Sequence, residues 1–333
     1  MKILVTGASG FIGSFLVQKL LNSGHTVTAI DNFNDYYSTE LKKKRIHTLF
    51  ESTNQCKVQE LDINDKEGIE SIFQLGNFDL VIHLAAQAGV RLPAEKYIDS
   101  NIAGFLNIFD CINRYGVRNF VFASSSSVYG NSMSLPYRED NRDLSPTSFY
   151  GLTKKMNEDF VEIEFTKWEA KIRALRFFTV YGPWGRPDMA YFRLLTSALR
   201  DQEFVLFGNG EIQRDFTYIS DVVDVIVRLA MELVSRSEQR YFDRVNIGGD
   251  RPLSMNNLIS EIESQSGKKI KLRKASENSA DSKKTAASKD YLTSLIGQHN
   301  YISLEEGIAM TLDWAKHSGV SDYLTKWVES SKK

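Results

Sequence analysis

A short apolar run, Lys2-Ile3-Leu4-Val5-Thr6, passes directly into Gly7-Ala8-Ser9-Gly10-Phe11-Ile12-Gly13 and then into an amphipathic stretch ending near Leu21. Strand, glycine turn and helix in immediate succession are the context in which a dinucleotide fingerprint carries meaning. Gly7 permits the tight turn, Gly10 lets the backbone approach a pyrophosphate, and Gly13 lets the helix pack closely on the strand. The first helical turn, with Phe11 and Ile12, offers free N–H groups and the positive end of a dipole to phosphates. A second strand, Thr26 to Ile30, ends at Asp31, eighteen residues after Gly13. A carboxylate there accepts hydrogen bonds from the adenosine ribose and repels a 2′-phosphate, and neither Asn32 nor Phe33 supplies an arginine to reverse that choice. The expected cofactor is NAD rather than NADP.

The same alternation continues. Residues 57–61, 79–84, 119–124 and 171–176 read as strands, and residues 65–74, 97–115 and 150–168 as helices. Such a pattern predicts an α/β fold with a doubly wound parallel sheet of the Rossmann kind. Ligands in that architecture bind beyond the carboxyl ends of the strands, so the glycine turn, Asp31, Asp62-Ile63, Leu84-Ala85-Ala86-Gln87 and the serines after residue 123 are expected to converge on one crevice. Past residue 180 the pattern is less regular, with short strands at 204–207, 214–218 and 244–247. The expected division is a dinucleotide-binding domain over 1–180, with part of 218–250 returning to it, and a smaller substrate lobe over 181–330. The polar, lysine-rich stretch 268–289 reads as a solvated loop, because it lacks the interleaved aromatics of a nucleic-acid surface.

Ser124-Ser125-Ser126-Ser127 precedes Val128-Tyr129-Gly130, and Tyr150-x-x-x-Lys154 follows on a predicted helix. Four residues apart, the phenol and the ammonium share a helix face, and a nearby cation favours the phenolate, which predicts a base working near neutral pH. Composition is compatible with an enzyme: 333 residues, 42% hydrophobic, 25% charged and a net charge of -1 allow a large core and show no bias towards polyanions. No apolar run reaches the roughly twenty residues of a membrane helix, and the first strand begins without a leader-like segment, so a cytoplasmic location is expected. Cys56 and Cys111 suffice for neither a disulfide framework nor a zinc site, and no metal is implied. His83, within an apolar strand, reads as a core residue.

Three segments, Thr6 to Gly13, the serines with Tyr150-x-x-x-Lys154, and Arg214-Asp215-Phe216-Thr217-Tyr218, resemble the extended short-chain dehydrogenase/reductase family of nucleotide-sugar epimerases and dehydratases. Asp35-Tyr36-Tyr37, the stretches 83–91 and 124–130, and Arg176 to Ala190 (RFFTVYGPWGRPDMA) are similar to its UDP-glucuronate 4-epimerase branch. The likeness covers most of residues 1–230 and fades after about 265.

The resemblance implies a chemistry. Tyr150 as phenolate removes the proton of the sugar 4-hydroxyl while hydride leaves C4 for NAD. Lys154 holds the phenolate and the nicotinamide ribose, and Ser125 hydrogen-bonds the same hydroxyl. The 4-keto sugar then turns over and takes the hydride back on its other face. A 4-keto uronic acid is a β-keto acid that can lose carbon dioxide, so its carboxylate must be held, by implication through Ser126, Ser127 and Thr179. Arg186 meets the carboxylate or the diphosphate, Arg214 the diphosphate, and Arg91, Met189 and Asp281 complete the nucleotide-sugar contacts. Asn101 joins the cofactor contacts. Relatives that dehydrate carry an Asp-Glu pair, and decarboxylases a glutamate, where this chain has Ser126 and Ser127. Epimerisation of a UDP-sugar is therefore expected, with UDP-glucuronate as substrate; a neutral UDP-sugar, or a non-catalytic NAD-binding sensor, are the alternatives. Departures lie in Gln213, where many relatives have a second arginine, and in Asn278 and Ser279-Ala280-Asp281. A homodimer through residues 97–115 and 150–168 is also implied, with Phe105, Ile108, Phe109, Met156, Phe160 and Ile163 as its apolar stripe.

Overall fold

The computed structural model describes residues 1–50, 54–90, 92–132, 134–249, 252–276 and 284–317. Twelve strands are numbered along the chain: β1 (Lys2–Thr6), β2 (Thr26–Asp31), β3 (Cys56–Glu60), β4 (Leu80–His83), β5 (Asn119–Ser125), β6 (Lys171–Phe177), β7 (Thr179–Tyr181), β8 (Glu203–Phe207), β9 (Gln213–Tyr218), β10 (Tyr241–Ile247), β11 (Pro252–Ser254) and β12 (Lys271–Ala275). Seven of them form one sheet in the order β3-β2-β1-β4-β5-β6-β10, every pair parallel.

Parallel strands covered on both faces must be apolar without alternation. Ile3, Leu4 and Val5 accordingly point to opposite sides and are all fully buried. Ile3, Val5, Ala29, Ile82 and Val121 pack under helices Phe11–Asn22 and Ile219–Ser235. Leu4, Ile30, Val81, Phe120, Phe122 and Ile172 pack under Lys66–Gly76, Gly104–Arg114 and Phe149–Glu164. The result is a three-layer α/β/α sandwich whose strand order reverses direction between β1 and β4, the switch point at which such sheets bind ligands.

Apart from the large sheet stand a three-stranded sheet, β11-β9-β7, and a parallel pair, β12-β8, with helices Ala190–Arg200, Met255–Ser266 and Leu304–His317 in the same part of the chain. Residues 241–247 lie beside β6 in the large sheet instead. Arg173, fully buried in β6, clamps that edge: its guanidinium meets both Asp243 oxygens at 2.8 and 2.7 Å and reaches Glu232 at 2.7 Å.

Several elements differ from expectation. The predicted helix 97–115 is broken into Glu95–Tyr97, a π-helical stretch Ile98–Ala103, and Gly104–Arg114. The wide turn lets Asn101 face the loop after β4, an arrangement that periodicity does not encode. Residues 39–49 form a helix that no apolar stripe announces; Ser38 caps it, accepting from Leu41 N–H at 3.3 Å. Lys271–Ala275 is a strand paired with β8 rather than part of a loop, because a mostly exposed edge strand has no buried face to declare itself. The expected apolar stripe divides: Phe105, Ile108 and Phe109 belong to the core, whereas Met156 and Ile163 are exposed together with Leu106 and Leu152. No helix among the described residues is long and apolar enough to cross a membrane.

Replacing Arg173 with methionine leaves Asp243 as a buried carboxylate without its cation. Chemical denaturation is expected to show a loss of about 3–5 kcal/mol. A loss below about 1 kcal/mol would mean that the clamp does not hold the edge strand.

Candidate active site

The carboxyl ends of β1, β2, β4, β5 and β6 open into one cleft. Gly7, Gly10, Phe11, Ile12 and Gly13 line one end. Gly7 has a φ of +71°, and a Cβ on it would lie 2.7 Å from the Ala85 nitrogen, so the turn rests directly on the chain leaving β4. A Cβ on Gly13 would overlap the Gly7 carbonyl. Helix Phe11–Asn22 starts with neither a side-chain cap nor an acidic residue in its first turn. Its orphan N–H groups are open to an anion.

Asp31, also in the wall, accepts from Ser9 N–H at 3.0 Å and from Phe33 N–H at 2.9 Å. Asn32 and Ile63 line the cleft, and Asp62 lies next to them in the hydrogen-bond network. Its carboxylate is taken up by Asn32 at 2.7 Å and twice by Asn64, at 2.8 and 2.9 Å. Burial would raise it, yet the hydrogen bonds from Asn32 and Asn64 hold it below the usual carboxylate range. Asp62 thus orients Asn32. Leu84, Ala85, Ala86 and Gln87 form the floor. Asn101 does not reach it: its amide exchanges hydrogen bonds with the Gln87 backbone at 2.7 and 3.1 Å and donates to Thr153, so it shapes the floor from beneath. His83 is a core residue. Burial, with the charge of Lys154, pushes it down to about 3, and it bonds Thr6 at 2.7 Å as a neutral ring.

At the other end, Ser125, Tyr150 and Lys154 meet. Helix Phe149–Glu164 is capped by Ser148, which accepts from Gly151 N–H at 3.1 Å. Gly151 lets the helix press against the serine run, since a Cβ there would come within 2.6 Å of the Ser127 carbonyl. Tyr150 hydrogen-bonds Ser125, whose hydroxyl donates to Ser127 at 3.1 Å. Burial lifts the Tyr150 phenol above its ordinary value, against the charge of Arg186 and the bond to Ser125. Lys154 lies 5.9 Å from the phenol ring and donates to the Ala123 carbonyl at 2.9 Å; burial pulls it down to about 8, opposed by Glu158. In the ligand-free cleft, desolvation outweighs Arg186 and the bond to Ser125, so the phenol keeps its proton there.

Residues 3–248 match the model of the NAD dependent epimerase/dehydratase family. This chain belongs to that family. Among curated members it is 37% identical over 319 residues to UDP-glucuronate 4-epimerase of Thermodesulfobacterium geofontis, covering 95% of this chain and 96% of that one. It is 36% identical over 332 residues to Protein CapI of Staphylococcus aureus, covering 94% and 98%. Among solved structures, UDP-glucuronic acid 4-epimerase from Bacillus cereus, in complex with UDP-glucuronic acid and NAD, superposes with a TM-score of 0.87 at 34% identity, covering 96% of this chain and 100% of that one.

On the substrate side of this epimerase/dehydratase cleft, Arg186 and Met189 are in the wall. Arg186 Nε donates to Asp188 at 3.0 Å, a second guanidinium nitrogen pairs with the same carboxylate, and the Tyr36 hydroxyl donates to it at 3.3 Å. Ser126 and Ser127, in a single 3-10 turn, and Thr179, at the start of β7, stand outside the lining; Ser127 connects to it through Ser125. Arg214, in β9, is likewise away from the wall, with one guanidinium nitrogen on the Gln213 carbonyl at 3.0 Å. Arg91 and Asp281, and with them Asn278 to Ala280, lie outside the described residues. Sequence reasoning gave no role to Asn34, Tyr36, Tyr37 and Lys42, which line the cleft as well. The available signal was Ser38 as a helix cap, with Lys42 and Arg45 three apart and hence on one face.

An acid held above its ordinary value keeps its proton to higher pH. An ultraviolet titration of the ligand-free protein, compared with Tyr150→Phe, is thus expected to show the Tyr150 phenolate appearing only at higher pH than that of a solvent-exposed tyrosine. A difference signal already present at neutral pH would contradict this account.

Proposed function

We propose that the chain is an NAD-dependent UDP-glucuronate 4-epimerase, converting UDP-glucuronate to UDP-galacturonate and back. The observation that carries the reading is the meeting of Tyr150, Ser125 and Lys154 at the far end of a cleft whose near end is an anion-receptive glycine turn. The residues fit a dinucleotide: Gly7 and Gly13 leave no side chain in the turn, the first turn of helix Phe11–Asn22 is uncapped, and Asp31 stands at the end of β2. Bound there, NAD supplies reversible hydride acceptance and a cationic ring that favours phenolate in the same direction as Arg186.

The chain's own residues do the rest. Tyr150 takes the proton of the sugar 4-hydroxyl and later returns it, while Ser125 holds that oxygen within reach. Lys154, fixed on the Ala123 carbonyl, keeps a positive charge beside the phenol. Oxidation at C4 followed by reduction on the opposite face leaves no net redox change. The hydroxyls after Ser125 favour a uronate: Ser126 and Ser127 provide no acid to expel a leaving group, and with Thr179 they are the groups we assign to the carboxylate. Arg186, Met189, Arg214, Arg91 and Asp281 are assigned to the nucleotide-sugar, and Asn32, Ile63 and residues 84–87 to NAD. The proposal includes a cytoplasmic homodimer, supported by exposed Leu106, Leu152, Met156 and Ile163 on two neighbouring helices. A single monomeric species in sedimentation would refute the dimer.

Incubation with UDP-glucuronate and no added NAD, read by chromatography or NMR, is expected to give an equilibrium mixture with UDP-galacturonate. Tyr150→Phe should abolish it, and Ser125→Ala should slow it by roughly 10²- to 10⁴-fold. A UDP-pentose product would mean that the carboxylate is not protected. No reaction with NAD supplied, alongside turnover of UDP-glucose, would transfer the assignment to a neutral sugar.

A further inference from the structure

Arg45 is fully buried, yet among the described residues no carboxylate pairs with it. Its guanidinium donates to the Trp184 carbonyl at 2.8 Å, the Ser9 carbonyl at 3.0 Å, the Tyr37 hydroxyl at 2.6 Å and the Gly185 carbonyl at 3.1 Å. Burying a cation among neutral acceptors is costly, so the position calls for a compensating role. Its partners suggest one. Ser9 sits in the glycine turn, with its N–H on Asp31. Tyr37 lines the cleft, and Trp184 and Gly185 lead directly into Arg186.

Trp184 adds an independent sign. Its φ of +60° lies in the left-handed region, unfavourable for so large a side chain. Such strain persists where the surroundings over-determine it, typically beside a functional site. Here the indole packs on Trp314 with ring centroids 5.2 Å apart, and the carbonyl is fixed by Arg45. Lys42, on the same face of the helix and also buried, is a second cation in this wall; its ammonium donates to Asn34 at 2.6 and 2.8 Å. A dinucleotide diphosphate in the glycine turn brings the negative charge that Arg45's own partners lack.

We propose that Arg45 is a positioning residue that locks the loop carrying Arg186 to the dinucleotide-binding turn, so that cofactor binding and readiness of the nucleotide-sugar site are coupled. The inference rests on the function proposed above. Its test uses Arg45→Met and Arg45→Lys, measuring NADH affinity by fluorescence without sugar, the thermal midpoint with and without NAD, and KM and kcat for UDP-glucuronate.

In Arg45→Met, both the NADH Kd and the KM are expected to rise about 10- to 100-fold, with kcat within about threefold because Tyr150, Ser125 and Lys154 do not touch Arg45. The stabilisation by NAD shrinks in parallel. Lysine does not restore either constant, since an ammonium cannot span acceptors on both segments as a guanidinium fork does. A lowered thermal midpoint with unchanged Kd and KM marks a purely structural arginine and overturns the proposal. Should neither variant fold, Tyr37→Phe removes one of the four bonds and must shift both constants in the same direction; no shift in either overturns it. If the wild type binds NADH but leaves UDP-glucuronate untouched, the substrate assignment fails on its own. Affinities for NADH and UDP in the same variants then decide the role of Arg45.

Discussion

The catalytic end of the cleft depends on one buried carboxylate. Glu158, almost wholly buried on helix Phe149–Glu164, accepts Arg176 from β6 at 2.7 and 3.0 Å and Arg244 from β10 at 3.1 Å, and also takes the Ser124 hydroxyl at the end of β5. Burial would raise it, but the charge and hydrogen bonds of Arg176, with Ser124, keep it below the usual glutamate value. Arg176 continues the chain to the Tyr129 hydroxyl at 2.8 Å, which bonds Asn246 at 2.8 Å. Three strands and the helix bearing Tyr150 and Lys154 are thereby held in one register. A satisfied network in a low-dielectric interior is stiff, and one missing member leaves the others desolvated and unpaired. Ser125 and Tyr150 meet because Ser124 and Glu158, their neighbours on the same two elements, are joined below them.

The cleft wall follows a second rule, that polar groups aimed inward are first committed to the protein. Asp31 is held by two backbone N–H groups, Asn32 by Asp62, and Arg186 by Asp188. Such groups meet a ligand already oriented, and little reorganisation remains for the moment of binding. The glycine turn is the complement: it contributes almost no side chain, and its shape comes from backbone pressed against backbone at Gly7 and Ala85. Rigid walls and an uncapped helix end suit a ligand with a fixed diphosphate and two sugars.

Much of this was legible in the chain. The apolar runs of β1 to β6 announce a buried parallel sheet because both faces are covered, and Gly7, Gly13 and Asp31 are at spacings that geometry alone requires. Tyr150 and Lys154 share a face by helical periodicity. Other residues make contacts that no local pattern announces. A π-turn aims the Asn101 amide at Gln87, and no periodic pattern reports such a turn. Asp62 follows a strand as the other cleft residues do, yet its two neighbouring asparagines absorb its carboxylate. The polar helix Thr39–Leu49 lacks a hydrophobic stripe because its buried residues include Lys42 and Arg45, so its contribution to the wall was invisible.

What the sequence by itself determined is local. Strand, turn and helix identities, the glycines that only backbone sterics tolerate, and the pairing of Tyr150 with Lys154 all follow from neighbours a few residues apart. Tertiary structure alone decided which polar groups face the ligand and what charge they carry there. Those properties depend on desolvation and on partners as distant in sequence as Arg45 and Trp184, or Tyr36 and Asp188. Tyr150 illustrates the division. Its place on the helix is a matter of spacing, but its acidity is the balance of burial against Arg186 and Ser125, which only the folded chain brings to one point.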